Sequence, residues 1–122
     1  MFNFGKTEEE AGRLSAIDEN FAIISFKPDG TILHANDNFL NALDYRLNDV
    51  VGNHHRMFCN KNYTSTKAYI DFWNDLANGI SQINEFERFK KDGSSIWIQA
   101  SYTPVKNKNG KVTRVVKFAQ DI

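Results

Sequence analysis

The chain has 122 residues and a mass of 14.0 kDa, and its fifteen Lys and Arg balance fifteen Asp and Glu. That length suits one domain, and the neutral balance lacks the cationic excess on which nucleic-acid binding draws. Cys59, the only cysteine, excludes an internal disulfide and a Cys-x-x-Cys metal site and suits a reducing cytosol, while no apolar run approaches the ~20 residues that span a membrane, so a cytoplasmic domain is expected.

Thr7-Glu8-Glu9-Glu10 reads as a capping box opening a helix that carries Leu14, Ile17 and Phe21 at helical spacing. The stripe is narrow, and such a helix needs a partner surface, from its own domain or from a second copy. Residues 1–20 hold two basic and five acidic side chains, whereas residues 105–122 hold five basic and one acidic. Ala22–Phe26 and Thr31–Ala35 form a hairpin across Lys27-Pro28-Asp29-Gly30. Asn36 caps a short helix with Phe39, Leu40 and Leu43. Leu47 to Cys59 has no clean period and reads as one or two helical turns around Gly52.

A stronger helix starts at Thr64 or Ser65, with Tyr69, Phe72, Trp73, Leu76 and Ile80 on its apolar face and Gly79 as its left-handed stop. Three strands follow: about Gln82–Lys91, Ile96–Val105 and Val112–Ala119, the last two joined through Asn109-Gly110. The class is therefore α+β, a five-stranded antiparallel sheet with helices on one face and an amphipathic N-terminal cap helix over residues 1–20. In the fourth strand Ile96, Ile98, Ala100 and Tyr102 share the parity that faces the helices. Trp97 falls on the open face and needs cover, which the N-terminal helix could supply.

The order of Asp29-Gly30, Ala35-Asn36-Asp37-Asn38-Phe39, Leu43-Asp44-Tyr45, Val51-Gly52, Lys91-Asp92-Gly93, Trp97, Pro104 and Asp121-Ile122 resembles a PAS domain over roughly residues 20–122. The segments Gly52-Asn53-His54-His55-Arg56-Met57-Phe58-Cys59, Phe72-Trp73, Ile96–Tyr102 and Val115–Ala119 resemble, more narrowly, the PAS modules of cytoplasmic methyl-accepting chemoreceptors and, more distantly, of aerotaxis receptors. The resemblance implies a sensory domain at residues 21–122, belonging to a longer signalling chain. Such a domain senses a small molecule, oxygen or redox state and relays it through the last strand to a downstream region.

Flavin-binding light sensors of this superfamily carry Gly-x-Asn-Cys-Arg-Phe-Leu-Gln where this chain has residues 52–59. Aligned so, their photoreactive cysteine falls on His55, and Cys59 does not replace it. His55 is thus expected to face the cavity, where it could ligate haem iron, contact a flavin or organic ligand, or simply bond a backbone carbonyl. His54 is expected at the surface, and the scattered histidines lack metal-ligand spacing. Trp73 matches a tryptophan that lies beside the flavin in aerotaxis receptors, though core packing explains it equally. Arg88, which shares parity with Phe86, requires an anionic partner in the pocket, such as a ligand carboxylate, a haem propionate or Asp44, unless its head snorkels to water.

Phe39, Leu43, His55, Phe58, Trp73, Phe86, Arg88, Ile98 and Ala100 are accordingly the expected cofactor-contacting set. The cofactor itself is left open between haem, flavin and none. No nucleotide, serine-hydrolase or zinc-protease motif is present, and Glu85 and Glu87 share a strand face without a nucleophile, so no enzyme is expected. A homodimer through the Thr7–Asp18 helix is expected, and the alternative function is a ligand-free dimerisation and protein-interaction module.

Overall fold

The computed structural model describes residues 8–122. Helix α1 spans Glu8–Asn20 and buries none of its side chains. Thr7, the expected N-cap, lies outside the described residues. Leu14 and Ile17 stay exposed, whereas Phe21 is half-buried with its ring edge-on to Phe118, so the helix's own domain covers only the end of the apolar stripe. Two asparagines hold the far end of α1. Asn36 Nδ2 donates to the carbonyls of Asp18 and Phe21, and Asn38 Nδ2 to those of Asp18 and Glu19. These bonds satisfy carbonyls that a helix end leaves open.

Strands β1 (Ala22–Phe26) and β2 (Ile32–Ala35) form the expected hairpin, though Thr31 sits just outside β2, in an isolated bridge to His54. Asn36 caps α2 (Asp37–Leu43) as expected, its Oδ1 accepting from the Phe39 amide; the same oxygen accepts from Ile23. One side chain thus ties α1, β1 and α2 together. The irregular stretch resolves into α3 (Leu47–Val50) and a 3-10 turn at His55–Phe58.

The strong helix begins later than its periodicity implied. Lys61–Thr64 forms a separate turn, α4, and α5 runs Lys67–Ala77 from a Thr66 cap. The Thr66 side chain accepts from the Tyr69 amide and donates to the Tyr63 carbonyl, which breaks the chain between the two helices. Tyr69, Phe72, Trp73 and Leu76 are buried as expected. Ile80 is not, because the helix has already ended. Gly79 takes φ +91°, its amide bonds Leu76, and the Ile80 amide bonds Asp75, closing a Schellman stop that leaves Ile80 outside.

Strands β3 (Gln82–Phe89), β4 (Ser95–Lys106) and β5 (Val112–Asp121) complete an antiparallel sheet of order β2-β1-β5-β4-β3. Ile98, Ala100 and Tyr102 face the helices and are buried, with Ile96 half-buried at the margin. Trp97, on the other face, is 53% exposed, so α1 does not cover it within one chain. No described helix is long and apolar enough to cross a membrane.

Candidate functional site

The site is built around residues 52–55, which are stitched to the edge of β2. The Ile32 amide bonds the Asn53 carbonyl at 2.8 Å, the Gly52 amide bonds the Ile32 carbonyl at 2.9 Å, and the His55 amide bonds the Gly30 carbonyl at 2.9 Å. This pairing imposes strand-like alternation and sends the two histidines opposite ways. His54 caps the 3-10 turn, its Nδ1 accepting from the Arg56 amide at 3.1 Å. Its proton therefore sits on Nε2, which donates to the Asp29 carbonyl at 2.7 Å. Gly30, at φ +94°, lets the turn close over these rings: a Cβ there would stand 2.5 Å from His54 Nε2 and 3.0 Å from Trp73 Cε2.

His55 points into the core and is fully buried. Phe26, Phe58, Tyr69, Phe72, Trp73 and Tyr102 surround its ring with centroids between 5.2 and 6.3 Å away. Both ring nitrogens are engaged, Nδ1 with the Tyr69 hydroxyl and Nε2 with the Tyr102 hydroxyl, each at 2.8 Å. Arg88 fixes the direction. Its Nη2 donates to the Tyr102 oxygen at 3.1 Å, which leaves the Tyr102 proton free to go to His55 Nε2. A neutral imidazole then carries its proton on Nδ1 and donates to Tyr69. The result is an ordered chain: Arg88 to Tyr102, to His55, to Tyr69.

Electrostatics agree with that order. Burial, then the positive charges of Arg88 and Lys117, hold the His55 pKa well below its ordinary value. Burial raises Tyr102 to about 12 and pushes Tyr69 and the Cys59 thiol upward as well. Cys59 Sγ lies 3.6 Å from His55 Nδ1 and 3.8 Å from the His55 carbonyl, as a neutral thiol at the side of the chain.

A pH dependence follows from the depressed His55 pKa. The unfolded imidazole binds a proton below about pH 6.5 while the folded one does not. The His55 contribution to stability is therefore complete above that pH and is lost as pH falls towards the depressed folded value. In urea unfolding across pH 7.5 to 5, this group is expected to add a decline approaching about 1.4 kcal/mol per pH unit at the acid end. A His55→Gln variant should show a shallower acid slope, and an equal slope in both proteins would contradict the assignment.

The structure brings most of the expected set together. Phe39, Leu43, Phe58, Trp73, Ile98 and Ala100 belong to one buried cluster, with Phe86 packed at its margin and His55 at its centre. Arg88 neither snorkels nor reaches an acid: it is 3% exposed, and Asp44 is an exposed helix cap with a left-handed backbone. Its guanidinium lies 4.8 Å from the Phe86 ring centre, and its Nη1 donates to the Glu87 carbonyl. His34, Glu85 and Glu87 stand apart from this core, and the described residues contain no cluster of His, Cys, Asp and Glu suited to a metal.

Three participants were not in the expected set. Tyr69 and Tyr102 read as apolar-face residues, and nothing in the sequence marks their hydroxyls as partners of His55. Lys117 was not singled out, although it shares parity with the buried Val115 and Ala119 and pairs across the sheet with Tyr102. It is 1% exposed, and its Nζ sits 4.9 Å from the Tyr102 ring centre and 5.7 Å from that of Phe39.

A flavin or haem does not fit this packing. The partly open void beside Phe39, Leu43, Ile98 and Asp121 is about 30 Å³, and the spaces of about 400 and 570 Å³ are open grooves, one past His54, Arg56 and Trp73 and the other past Lys27, Asn107 and Val112. Ligation of iron by His55 would also break a bond to one tyrosine.

Comparison with known proteins agrees with the architecture. The model of the PAS fold family matches residues 32–119. The chain is 38% identical over 114 residues to the biofilm dispersion protein BdlA of Pseudomonas aeruginosa, covering 93% of this chain and 27% of that one. It is 27% identical over 117 residues to phototropin-1A of Oryza sativa, covering 95% of this chain and 13% of that one. The chain thus spans about a quarter or less of the length of these curated relatives. Among solved structures, a PAS domain from Colwellia psychrerythraea aligns with a TM-score of 0.77 at 20% identity, over 94% of this chain and 98% of that one. A light-oxygen-voltage domain aligns with a TM-score of 0.75 at 21% identity, over 96% and 86%.

Proposed function

The chain belongs to the PAS fold family, and on that premise we propose that its interior is the sensing element of a bacterial signalling protein, responding to a small molecule rather than to light. One observation carries the reading. Among the described residues the Arg88 guanidinium has a buried donor, Nε, that makes no hydrogen bond. Native cores rarely leave such donors unpaired, and an added acceptor satisfies them. Likeness to a biofilm dispersion protein supports a bacterial signalling role.

The relay follows the polar chain. A ligand that takes a proton or a hydrogen bond from His55 or Tyr102 changes how Tyr102 sits on β4. Tyr102 pairs with Lys117 on β5, whose end at Asp121 leads to whatever follows in a longer signalling chain of the chemoreceptor type. Differential affinity for two arrangements of this contact is all that the switch requires. The resemblance to flavin-binding light sensors aligns His55 with their photoreactive cysteine, and Cys59 stands beside it as a neutral thiol, so a light-driven thiol adduct has no part in the proposal.

The exposed surfaces favour a second, compatible reading as a dimerisation module. Leu14 and Ile17 on α1, and Trp97 and Ile83 on the outer sheet, remain open in one chain. A second copy covers both through a two-fold contact.

Thermal shift with a panel of small metabolites, followed by hydrogen exchange on each hit, tests the sensing role. At least one compound is expected to raise Tm and slow exchange in β4 and β5, with the effect reduced in His55→Gln. A panel without a stabilising compound, alongside light scattering that shows a dimer broken by Ile17→Lys, would leave only the dimerisation module.

A further inference from the structure

The two adjacent histidines meet different surroundings. His55 is sealed in the core, whereas His54 is half-buried and lines the open groove of about 400 Å³, where solvent protons reach it. The His54 ring bridges two elements. Its Nε2 donates to the Asp29 carbonyl in the β1–β2 turn, and its Nδ1 accepts from the Arg56 amide in the 3-10 turn. The ring also stands edge-on to Tyr69 and Trp73 of α5, with centroids 6.2 and 6.0 Å away, and rests directly on Gly30.

Only a neutral imidazole makes both bonds. A proton added to Nδ1 turns that acceptor into a donor aimed at the Arg56 N–H, so the bond is lost, while the Nε2 bond to the Asp29 carbonyl is kept and becomes charge-assisted. The groups that face the ring differ in sign. Asp29 on the turn favours the imidazolium, and Arg56 on the 3-10 turn opposes it. Tyr69 on α5 is a protonated phenol, the neighbouring His55 is neutral, and Lys27 acts on the Asp29 carboxylate rather than on the ring. Burial is the largest effect and holds the His54 pKa below its ordinary value. The bridging form therefore prevails at pH 7 and is lost as pH falls below about 6.5.

We propose that His54 is a proton-operated latch: neutral, it clamps the 3-10 turn to the β1–β2 turn, and protonated, it keeps its hold on the β1–β2 turn and releases the 3-10 turn. The input is the proton itself, at a site outside the sealed interior, so the latch goes beyond the small-molecule reading and stands without it. Repulsion between the imidazolium and the Arg56 guanidinium adds to the release. The segment stays in place, because the His55 amide keeps the Gly30 carbonyl and the Ile32 amide keeps the Asn53 carbonyl. What loosens is the backbone of residues 56–58. His55 stays neutral between its two tyrosines, and the effect leaves the turn through Phe58, whose ring stands edge-on to Phe39 of α2 and to Tyr45, at 5.2 and 5.6 Å.

NMR of the whole chain between pH 7.5 and 5.0 tests this, reading the His54 ring nitrogens, the Arg56 amide shift and the exchange protection of that amide corrected for its intrinsic rate. The Arg56 shift and the His54 ring are expected to titrate with one midpoint below 6.5, and the protection to fall roughly five- to tenfold across it, as loss of a helix cap implies. His54→Asn is the comparison. Its side-chain oxygen accepts from the same amide at every pH and gives up only the bond to Asp29, so Arg56 protection should hold steady through that range. An equal fall in His54→Asn would overturn the proposal. So would a wild-type Arg56 amide that keeps its shift and protection while His54 titrates, two separate midpoints, or a His54 ring that binds no proton down to pH 5.0. The last three outcomes need the wild type alone, and none of them bears on small-molecule binding in the interior.

Discussion

His55→Leu is expected to lower the unfolding free energy at pH 7 by about 2–5 kcal/mol, although leucine has a suitable volume for the site. The loss comes from the groups left behind. Without the imidazole, the Tyr102 proton and the Tyr69 oxygen lose their partners in a fully enclosed ring of aromatics. Each orphaned polar group costs roughly 1–3 kcal/mol. The interaction is a chain, so the single changes should not add. Tyr69→Phe placed on His55→Leu should recover part of the loss by removing an orphan, whereas Tyr69→Phe alone should destabilise. Urea unfolding of the four proteins measures this, and simple additivity would show that the two side chains act independently.

Lys117→Met is expected to act in the opposite direction, raising stability at pH 7 by about 1–4 kcal/mol, the range seen when buried charges are replaced by apolar groups of similar size. Burial and the nearby Arg88 hold the Lys117 pKa well below its ordinary value. The unfolded lysine keeps its proton up to about pH 10.5 while the folded one releases it sooner, so the wild type gains stability as pH rises through that window. The advantage of methionine should therefore shrink as pH approaches 10.5. An equal or larger advantage at pH 10 than at pH 7 would contradict the account.

Much of the architecture is legible because periodicity reports burial. Alternation in Ile96, Ile98, Ala100 and Tyr102 gives the inward face of β4, and spacing in Tyr69, Phe72, Trp73 and Leu76 gives that of α5. Local chemistry overrides period at the ends. Thr66 takes the cap from Thr64 and Ser65, and the Schellman stop excludes Ile80. The inward aim of His55 was available from its alignment with the photoreactive cysteine, but its partners were not. A tyrosine on an apolar face looks the same whether its hydroxyl meets water or an imidazole, and only the crossing of β4 behind α5 brings Tyr102 to the Nε2 side.

The partners of Arg88, and the burial of Lys117, escape the sequence for a related reason. Parity places both inward, yet a cation on an inward position ordinarily bends past an edge to water. Arg88 is held instead by Tyr102 and the Glu87 carbonyl, and Lys117 is enclosed by strands on both sides. Asn36 was legible as a helix cap, but its amide bonds to Asp18 and Phe21 depend on where α1 ends in space.

The account turns on a neutral His55 held between two tyrosines with its proton on Nδ1. Nitrogen-15 NMR of histidine-labelled protein reads both properties from the two ring nitrogens. At pH 7 the account predicts one protonated resonance on Nδ1 and one unprotonated, hydrogen-bonded resonance on Nε2, neither moving as pH is lowered to 5.5. A pair of imidazolium-type shifts, a proton on Nε2, or a titration near pH 6.5 would contradict it.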